Sequence, residues 1–297
     1  MNITILGEGF IGTEIRNQLK EMEHQIKSLS SKELDLTNYL ETEKNLPHYI
    51  KDNSFLIFTA AITRLRDNSF ESYSKNLAIV ENIARLIEQD KLRILSLVFL
   101  STVDVYGFDV SDGIIRETLP TLPPDYYALS KLACEQLLRF VCEKKKIPLL
   151  ILRIPGVFGP GDTNRSTLWK MVSSALQNNS IKVFAGGKDI RDFLYVNDLI
   201  QLIRLNLLSP QDCLINASSG MPLPILDIAH YIAELTGATV DTVTHINATP
   251  SRAPKMVFDL TLLKNYFPTF TPTSLFAGIK DYTEYQIKTA SNTRTGN

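Results

Sequence analysis

Three groups of residues have the types and spacing to do chemistry. Gly7-Glu8-Gly9-Phe10-Ile11-Gly12 fits G-x-G-x-x-G and stands between an apolar run, Ile3 to Leu6, and Ile11, Ile15 and Leu19 at helical spacing. Glycines there permit a tight turn and let the backbone approach a pyrophosphate, while the following helix offers free amides and a favourable dipole to the anion. Tyr127-Ala128-Leu129-Ser130-Lys131 sets a phenol and an ammonium four residues apart, on one face of a helix. An unperturbed tyrosine titrates near about 10, so a neighbouring cation is what makes it a usable acid or base at neutral pH. Tyr126 is adjacent but lacks that spacing. Ser101-Thr102-Val103-Asp104-Val105-Tyr106-Gly107 follows the apolar run Ile94 to Leu100. In a parallel sheet the ligand crevice lies beyond such a strand end, where the Thr102 hydroxyl can meet a substrate oxygen that also meets the phenol; a cap on the following loop is the alternative.

The elements that must position these groups alternate along the chain. Short apolar runs at Ile3 to Leu6, Gln25 to Leu29, Phe55 to Phe58, Ile94 to Leu100 and Leu149 to Leu152 are separated by amphipathic stretches, notably Tyr73 to Gln89 and Tyr127 to Cys142. That rhythm predicts an α/β fold, a doubly wound parallel sheet covered on both faces, with roughly six strands by residue 153. After Arg153, closely spaced glycines (Gly156, Gly159, Gly161, Gly186, Gly187) mark a change of texture. The expected division is a dinucleotide-binding domain over 1–153 with a returning segment near 193–217. A smaller substrate lobe takes 154–192 and 218–289, with a helix over Ile225 to Thr236, and 290–297 forms a disordered tail.

The end of the second strand bears on the cofactor. An acid at that point holds the adenosine ribose in NAD sites, but this strand runs into Ser30-Ser31-Lys32. Two hydroxyls and an ammonium with no acid beside them suit a 2'-phosphate, which leans toward NADP; an exposed Lys32 in a chain that takes either cofactor is the competing reading.

Composition removes other classes. The 297 residues are 44% hydrophobic, enough for a sizeable core, and 31 basic against 32 acidic residues leave a formal charge of -1, so nucleic-acid and membrane-surface partners have no electrostatic basis. Lys144-Lys145-Lys146 reads as a solvated helix end. Cys134, Cys142 and Cys213 and the four histidines His24, His48, His230 and His245 show no metal-ligand spacing, so no metal is expected. No apolar run reaches the roughly 18 residues of a membrane span, and no charged leader precedes Ile3, which predicts a reduced cytoplasmic protein.

Taken in order, the motifs have a family likeness. G-x-G-F-I-G, Ala60-Ala61, Asn76, S-T-x-x-V-Y-G, Y-x-x-x-K, the run from Arg153 to Gly161 and Arg191-Asp192-Phe193-Leu194-Tyr195-Val196-Asn197-Asp198 together resemble the extended short-chain dehydrogenase/reductases of the NAD-dependent epimerase/dehydratase type. The resemblance covers residue 1 to about residue 260. It implies a Rossmann-type fold, a nucleotide-diphosphate sugar as substrate and a homodimer built on the helices near 73–89 and 127–142, with Leu86, Leu137 and Val141 facing either a partner or the sheet. It further implies that Gly7, Gly9, Phe10, Ile11 and Gly12 line the pyrophosphate, that Asp35 and Leu36 flank the adenine, that Ala60 and Ala61 pass under the ribose and that Asn76 supports the site. Thr102, Tyr127 and Lys131 would form the catalytic triad, and Ser30, Ser31, Lys32 and Pro155 join the implied cofactor contacts. Val103, Asp104, Gly156 and the diphosphate arginines Arg191 and Arg252 join Thr102 as implied substrate contacts.

Four departures refine that expectation. Leu6 stands where the family has its first glycine, Ser30 replaces the NAD-type acid, and Gly156 replaces a substrate-binding asparagine. Val103 and Asp104 replace the acid and base pair with which the family's dehydratases eliminate water. A reductase of a 4-keto-6-deoxy sugar is therefore the leading expectation, with a 4-epimerase using the same triad as the alternative and a non-catalytic scaffold behind both.

Overall fold

The computed structural model describes residues 1–22, 24–107, 113–163, 166–243 and 255–295, with side chains through Ser291. Five strands and four helices alternate through the first half: β1 (Asn2–Leu6), α1 (Phe10–Lys20), β2 (Gln25–Leu29), α2 (Tyr39–Tyr49), β3 (Ser54–Phe58), α3 (Phe70–Glu88), β4 (Ile94–Thr102), α4 (Tyr126–Lys145) and β5 (Leu149–Ile154). The chain continues through β6 (Gly156–Phe158), α5 (Thr167–Asn178), β7 (Ser180–Phe184), β8 (Ile190–Arg191), β9 (Phe193–Tyr195), α6 (Val196–Leu208) and β10 (Cys213–Asn216). It ends with β11 (Leu223–Pro224), α7 (Ile225–Thr236), β12 (Thr239–Val243), α8 (Thr261–Tyr266) and α9 (Leu275–Thr295).

The central sheet is parallel throughout, in the order β10-β5-β4-β3-β1-β2. Only five of its strands precede residue 155, so the expectation of about six is corrected: the sixth, β10, comes from the late return of the chain through α6 and pairs with β5. Strand residues of opposite parity serve opposite faces. Leu56, Phe58, Leu97 and Phe99 pack with Leu46 of α2, Ile83 and Leu86 of α3 and Leu138 and Val141 of α4. Ile57, Val98, Leu150 and Leu152 pack with Ile15 and Leu19 of α1 and Leu199 and Ile203 of α6. Both faces being covered, β3 is buried along its whole length. Leu86 and Val141, candidates for a partner-facing surface, belong to this core instead.

A third apolar cluster holds the C-terminal lobe together, with Leu168 and Val172 of α5, Ile228 and Ile232 of α7 and Ile279 and Tyr282 of α9 closing over Ile181 and Val183 of β7. Residues 290–295 continue α9, which corrects the disordered tail expected there. The helix α2 was not anticipated; Asn38 starts it by accepting a hydrogen bond from the Glu41 amide at 3.2 Å, and Pro47 lies inside it. Among the described residues no helix is long and apolar enough to cross a membrane.

The strand order reverses direction between β1 and β3, since β1 has β2 on its other side. Helices leave these two strands toward opposite faces, and the gap beyond their carboxyl ends is where a doubly wound sheet can take a ligand. The glycine loop follows β1 and Ala60-Ala61 follows β3, so both border that gap.

Candidate active site

The loop after β1 is shaped by steric limits on its glycines. Gly7 has φ +112°, and a Cβ on it would stand 2.7 Å from the Ala60 nitrogen. A Cβ on Gly12 would stand 1.9 Å from the Gly7 carbonyl oxygen, so only glycine lets α1 start so close to the strand. Leu6 is wholly buried, and its carbonyl accepts from the Thr59 amide, so the turn begins at Gly7 rather than one residue earlier. Gly9 starts α1 with no side chain capping the helix, and nothing lies within 4 Å of where its Cβ would be. An uncapped helix N-terminus facing open space suits the pyrophosphate of a dinucleotide.

Asn76, buried on α3, ties the neighbouring segments together. Its amide nitrogen donates to the Ile62 carbonyl at 3.0 Å and the Ser130 hydroxyl at 3.2 Å, and its oxygen accepts from the Ile62 amide at 2.8 Å. The stretch after β3 is thereby held to α4, the helix that carries Tyr127 and Lys131.

The adenosine end differs from expectation. The Ser30 amide and hydroxyl donate to the Glu33 carboxylate at 3.0 and 3.2 Å, and Lys27 pairs with Glu33 at 3.2 Å. The Ser30 amide and Lys27 hold the Glu33 carboxyl below its ordinary range. A carboxylate that the sequence reading did not place therefore stands at the Ser30 corner, beside the Ser30, Ser31 and Lys32 expected to meet a 2'-phosphate. Ser31 and Lys32 are exposed. Asp35 accepts from the Thr37 amide and hydroxyl at 2.9 and 2.7 Å, and Leu36 is buried in the core beneath.

At the other end of the gap, α4 starts with Asp125 accepting from the Ala128 amide at 2.8 Å, and the Tyr127 amide donates to Asn68 at 3.1 Å. Tyr127 is half-buried, whereas Tyr126 is exposed among the rings of Phe70 and Tyr73. Desolvation, and next the Asp104 carboxylate, push the Tyr127 phenol above its usual value, so it keeps its proton at neutral pH. Lys131 is buried, with Nζ donating to the Leu100 carbonyl at 2.7 Å and standing 4.6 Å from the centre of the Phe99 ring. Burial pulls its ammonium down to about 8.

Thr102 ends β4 and its hydroxyl accepts from the Asp104 amide at 3.1 Å, so the capping role is real and the side chain is fixed in place. Val103 is 2% exposed and packs with Val105, Ile115, Met256 and Phe258. Its side chain is a core contact, which corrects its assignment to the substrate. Burial raises the Asp104 carboxyl from its ordinary value, opposed by the Arg64 guanidinium 3.0 Å away. Arg64 escaped sequence reasoning because it lies in a coil with no motif around it. Arg191 pairs with Asp189 at 3.3 Å and donates to the Met256 sulfur at 3.0 Å; its charge also reaches Asp104. Its neighbour Asp192 is buried and accepts from Ser218, Ser219 and Gly220, fixing the loop after β10. Gly156 is exposed and Pro155 buried beside it, and Arg252 falls outside the described residues.

Behind Lys131 lies a group that motif reading passed over. Glu135, one turn further along α4 and wholly buried, accepts from the Ser101 hydroxyl and from Arg153 at 3.0 and 2.6 Å. The Arg153 guanidinium stacks 4.7 Å from the centre of the Tyr106 ring, whose hydroxyl donates to Asn216 on β10 at 2.8 Å. The only signal in sequence was the four-residue step from Lys131 to Glu135.

A model of the NAD dependent epimerase/dehydratase family matches residues 3–216. A Bacillus subtilis (strain 168) protein named as an uncharacterized UDP-glucose epimerase is 26% identical over 96% of this chain and 98% of its own. Among solved structures, the UDP-glucose 4-epimerase of Thermotoga maritima, with UDP-glucose, is similar at a TM-score of 0.84 with 21% identity, covering 98% of this chain and 100% of that one. The dTDP-glucose 4,6-dehydratase of Bacillus anthracis, in complex with NAD, is similar at a TM-score of 0.82 with 20% identity, covering 98% of each. At those identities the solved structures bear on the fold alone.

Proposed function

Because the chain belongs to the NAD-dependent epimerase/dehydratase family, we propose that it inverts a hydroxyl-bearing carbon of a nucleotide-diphosphate sugar through a transient ketone. What supports this reading is that Tyr127 and Lys131 stand four residues apart on α4, with the Lys131 ammonium bonded to the Leu100 carbonyl, two residues before Thr102 at the end of β4. A nicotinamide dinucleotide, which Gly7, Gly9, Gly12 and Lys131 would hold, would supply the hydride acceptor and donor. Once the phenol has released its own proton to solvent, Tyr127 takes the proton from the sugar hydroxyl and returns it to the same oxygen at the end of the cycle. Lys131 supplies the positive charge that lets a desolvated phenol give up its proton, and Thr102 orients the same oxygen. Arg191 holds the diphosphate. Water elimination is disfavoured, since a buried apolar Val103 stands where an acid would be needed.

A second reading, reduction of a 4-keto-6-deoxy sugar, draws support from Gly156, which offers no side chain to the sugar; a Cβ there would stand 2.9 Å from the Phe193 ring. One set of assays separates the two. Purified protein is given NAD with sugar nucleotides carrying uracil, thymine or guanine and followed by NMR for the inverted epimer, and is given NADH or NADPH with a 4-keto-6-deoxy sugar nucleotide and followed by absorbance for net oxidation of the cofactor. Epimer without net loss of reduced cofactor supports the first reading, and stoichiometric loss with a keto sugar the second. Tyr127→Phe should lower turnover about 10²- to 10⁴-fold while cofactor affinity holds. No turnover on any sugar nucleotide, or an unaffected Phe variant, would refute both.

A further inference from the structure

The glycine loop contains a carboxylate that neither the phosphate-binding role nor the catalytic groups use. Glu8 lies between Gly7 and Gly9, yet its side chain turns away from the helix start and toward β2. There the Ser28 hydroxyl and the Arg16 guanidinium both donate to its Oε1. Ser28 pairs in register with Ile5 of β1, two residues before Ser30, so Glu8 is anchored at the carboxyl end of β2. Among the described residues its Oε2 accepts no hydrogen bond, and the side chain is 23% exposed.

The end of β2 is where a doubly wound fold meets the adenosine ribose, and an acid there accepts from the ribose 2'-hydroxyl. In this chain neither β2 nor the residue after it supplies an acid, and the serines there have spent their protons, Ser28 on Glu8 and Ser30 on Glu33. We propose that Glu8, reaching across from the glycine loop, is the acceptor for the adenosine 2'-hydroxyl and sets a preference for NAD over NADP. The proposal rests on the dinucleotide reading above. A 2'-phosphate entering the same corner meets the carboxylates of Glu8 and Glu33, each already holding its cation, Arg16 and Lys27. The like charge there disfavours it, Arg16 being held by Glu8 and Lys27 by Glu33, and the exposed Lys32 is a solvated charge that does not offset them.

Calorimetric titration tests this without turnover. Wild-type protein should bind NAD at least tenfold more tightly than NADP, and NAD lacking the adenosine 2'-hydroxyl about tenfold more weakly than NAD itself, the loss of one hydrogen bond to a charged group. In Glu8→Ala the deoxy analogue and NAD should bind alike, because the acceptor has gone. Glu8→Gln should narrow the NAD to NADP ratio at least tenfold, chiefly by admitting the 2'-phosphate to the freed Arg16, and Arg16→Ala added to it should reverse that gain. A preference for NADP in the wild type, or a deoxy penalty of equal size in wild type and Glu8→Ala, would overturn the assignment while leaving the dinucleotide reading intact. Failure of NAD, NADP and the analogue alike to bind the wild type would overturn both. The wild-type comparison of NAD with its deoxy analogue needs no variant to fold.

Discussion

Replacing Glu135 by alanine should be among the most damaging single changes in the chain, although Glu135 touches neither proposed ligand. Its carboxylate is fully buried and accepts from Ser101 and twice from Arg153, itself 3% exposed. Removing it strands a guanidinium inside the protein, stacked on the Tyr106 ring without its carboxylate partner. Breaking one side of such a buried pair costs roughly 3–5 kcal/mol, which in a chain of this size lowers the melting temperature on the order of 10 °C. Replacing both partners together, Glu135→Leu with Arg153→Met, removes the desolvated charges along with their attraction and should come within about 2 kcal/mol of wild type. Urea denaturation followed by circular dichroism on wild type, both singles and the double completes the cycle, with an expected coupling of several kcal/mol. If Glu135→Ala costs less than about 1 kcal/mol, or the double is as unstable as the singles summed, water reaches the pair and the reasoning from burial is wrong. Because Glu135 follows Lys131 by one helical turn, the double variant should also have lower turnover than its stability explains.

Two further expectations concern charge. Lys131 has its ammonium pulled by burial from the ordinary 10.5 to about 8, so turnover should fall as pH climbs through about 8 and the cation that supports the phenolate is lost. Between about 8 and 10.5 the unfolded chain binds that proton more firmly than the folded one, so this group makes stability rise with pH in that window. Lys131→Met should abolish both the falling limb and that rise, measured by turnover and by denaturation at several pH values. Arg191→Ala should weaken sugar-nucleotide binding by about 1.5–3 kcal/mol in calorimetry with little change in melting temperature, since its half-exposed pair with Asp189 is worth no more than about 1 kcal/mol. Arg191→Lys should recover only part, having lost the planar fork.

What the sequence revealed follows from range. Strands such as Phe55 to Phe58 are legible because burial on both faces leaves an unbroken apolar run, and the glycine loop because its constraint is local and steric. Tyr127 and Lys131 are legible because one helix fixes both. Glu8 at β2, Arg64 on Asp104 and Arg153 on Glu135 join residues 20, 40 and 18 positions apart in the chain; no local spacing encodes them. The acids near the end of β2 were missed for this reason: Glu33 on Ser30 and Glu8 on Ser28 reach that corner from outside the strand. Val103 looked like part of a site because it stands between Thr102 and Asp104 in the sequence, while the turn points it into the core. The helix α2 was hidden by Pro47, which reads as a breaker but falls near the helix end.

The late arrival of β10 has a consequence for how the chain is made. Until residue 216 leaves the ribosome, β5 is the border of the sheet, and its Leu149-Leu150-Ile151-Leu152 presents unpaired backbone groups on an apolar strand. Such a border recruits other strands, from another copy as readily as from its own chain. Some sixty residues separate the strands, and at about 5–20 residues per second their synthesis takes roughly 3–12 s. For that interval the nascent sheet depends on a chaperone or on dilution, and a fragment ending near residue 155 keeps the glycine loop, Tyr127 and Lys131 but should aggregate rather than bind dinucleotide. A circular permutant that supplies β10 before β1 would shorten the exposure and raise the yield of folded protein at high expression.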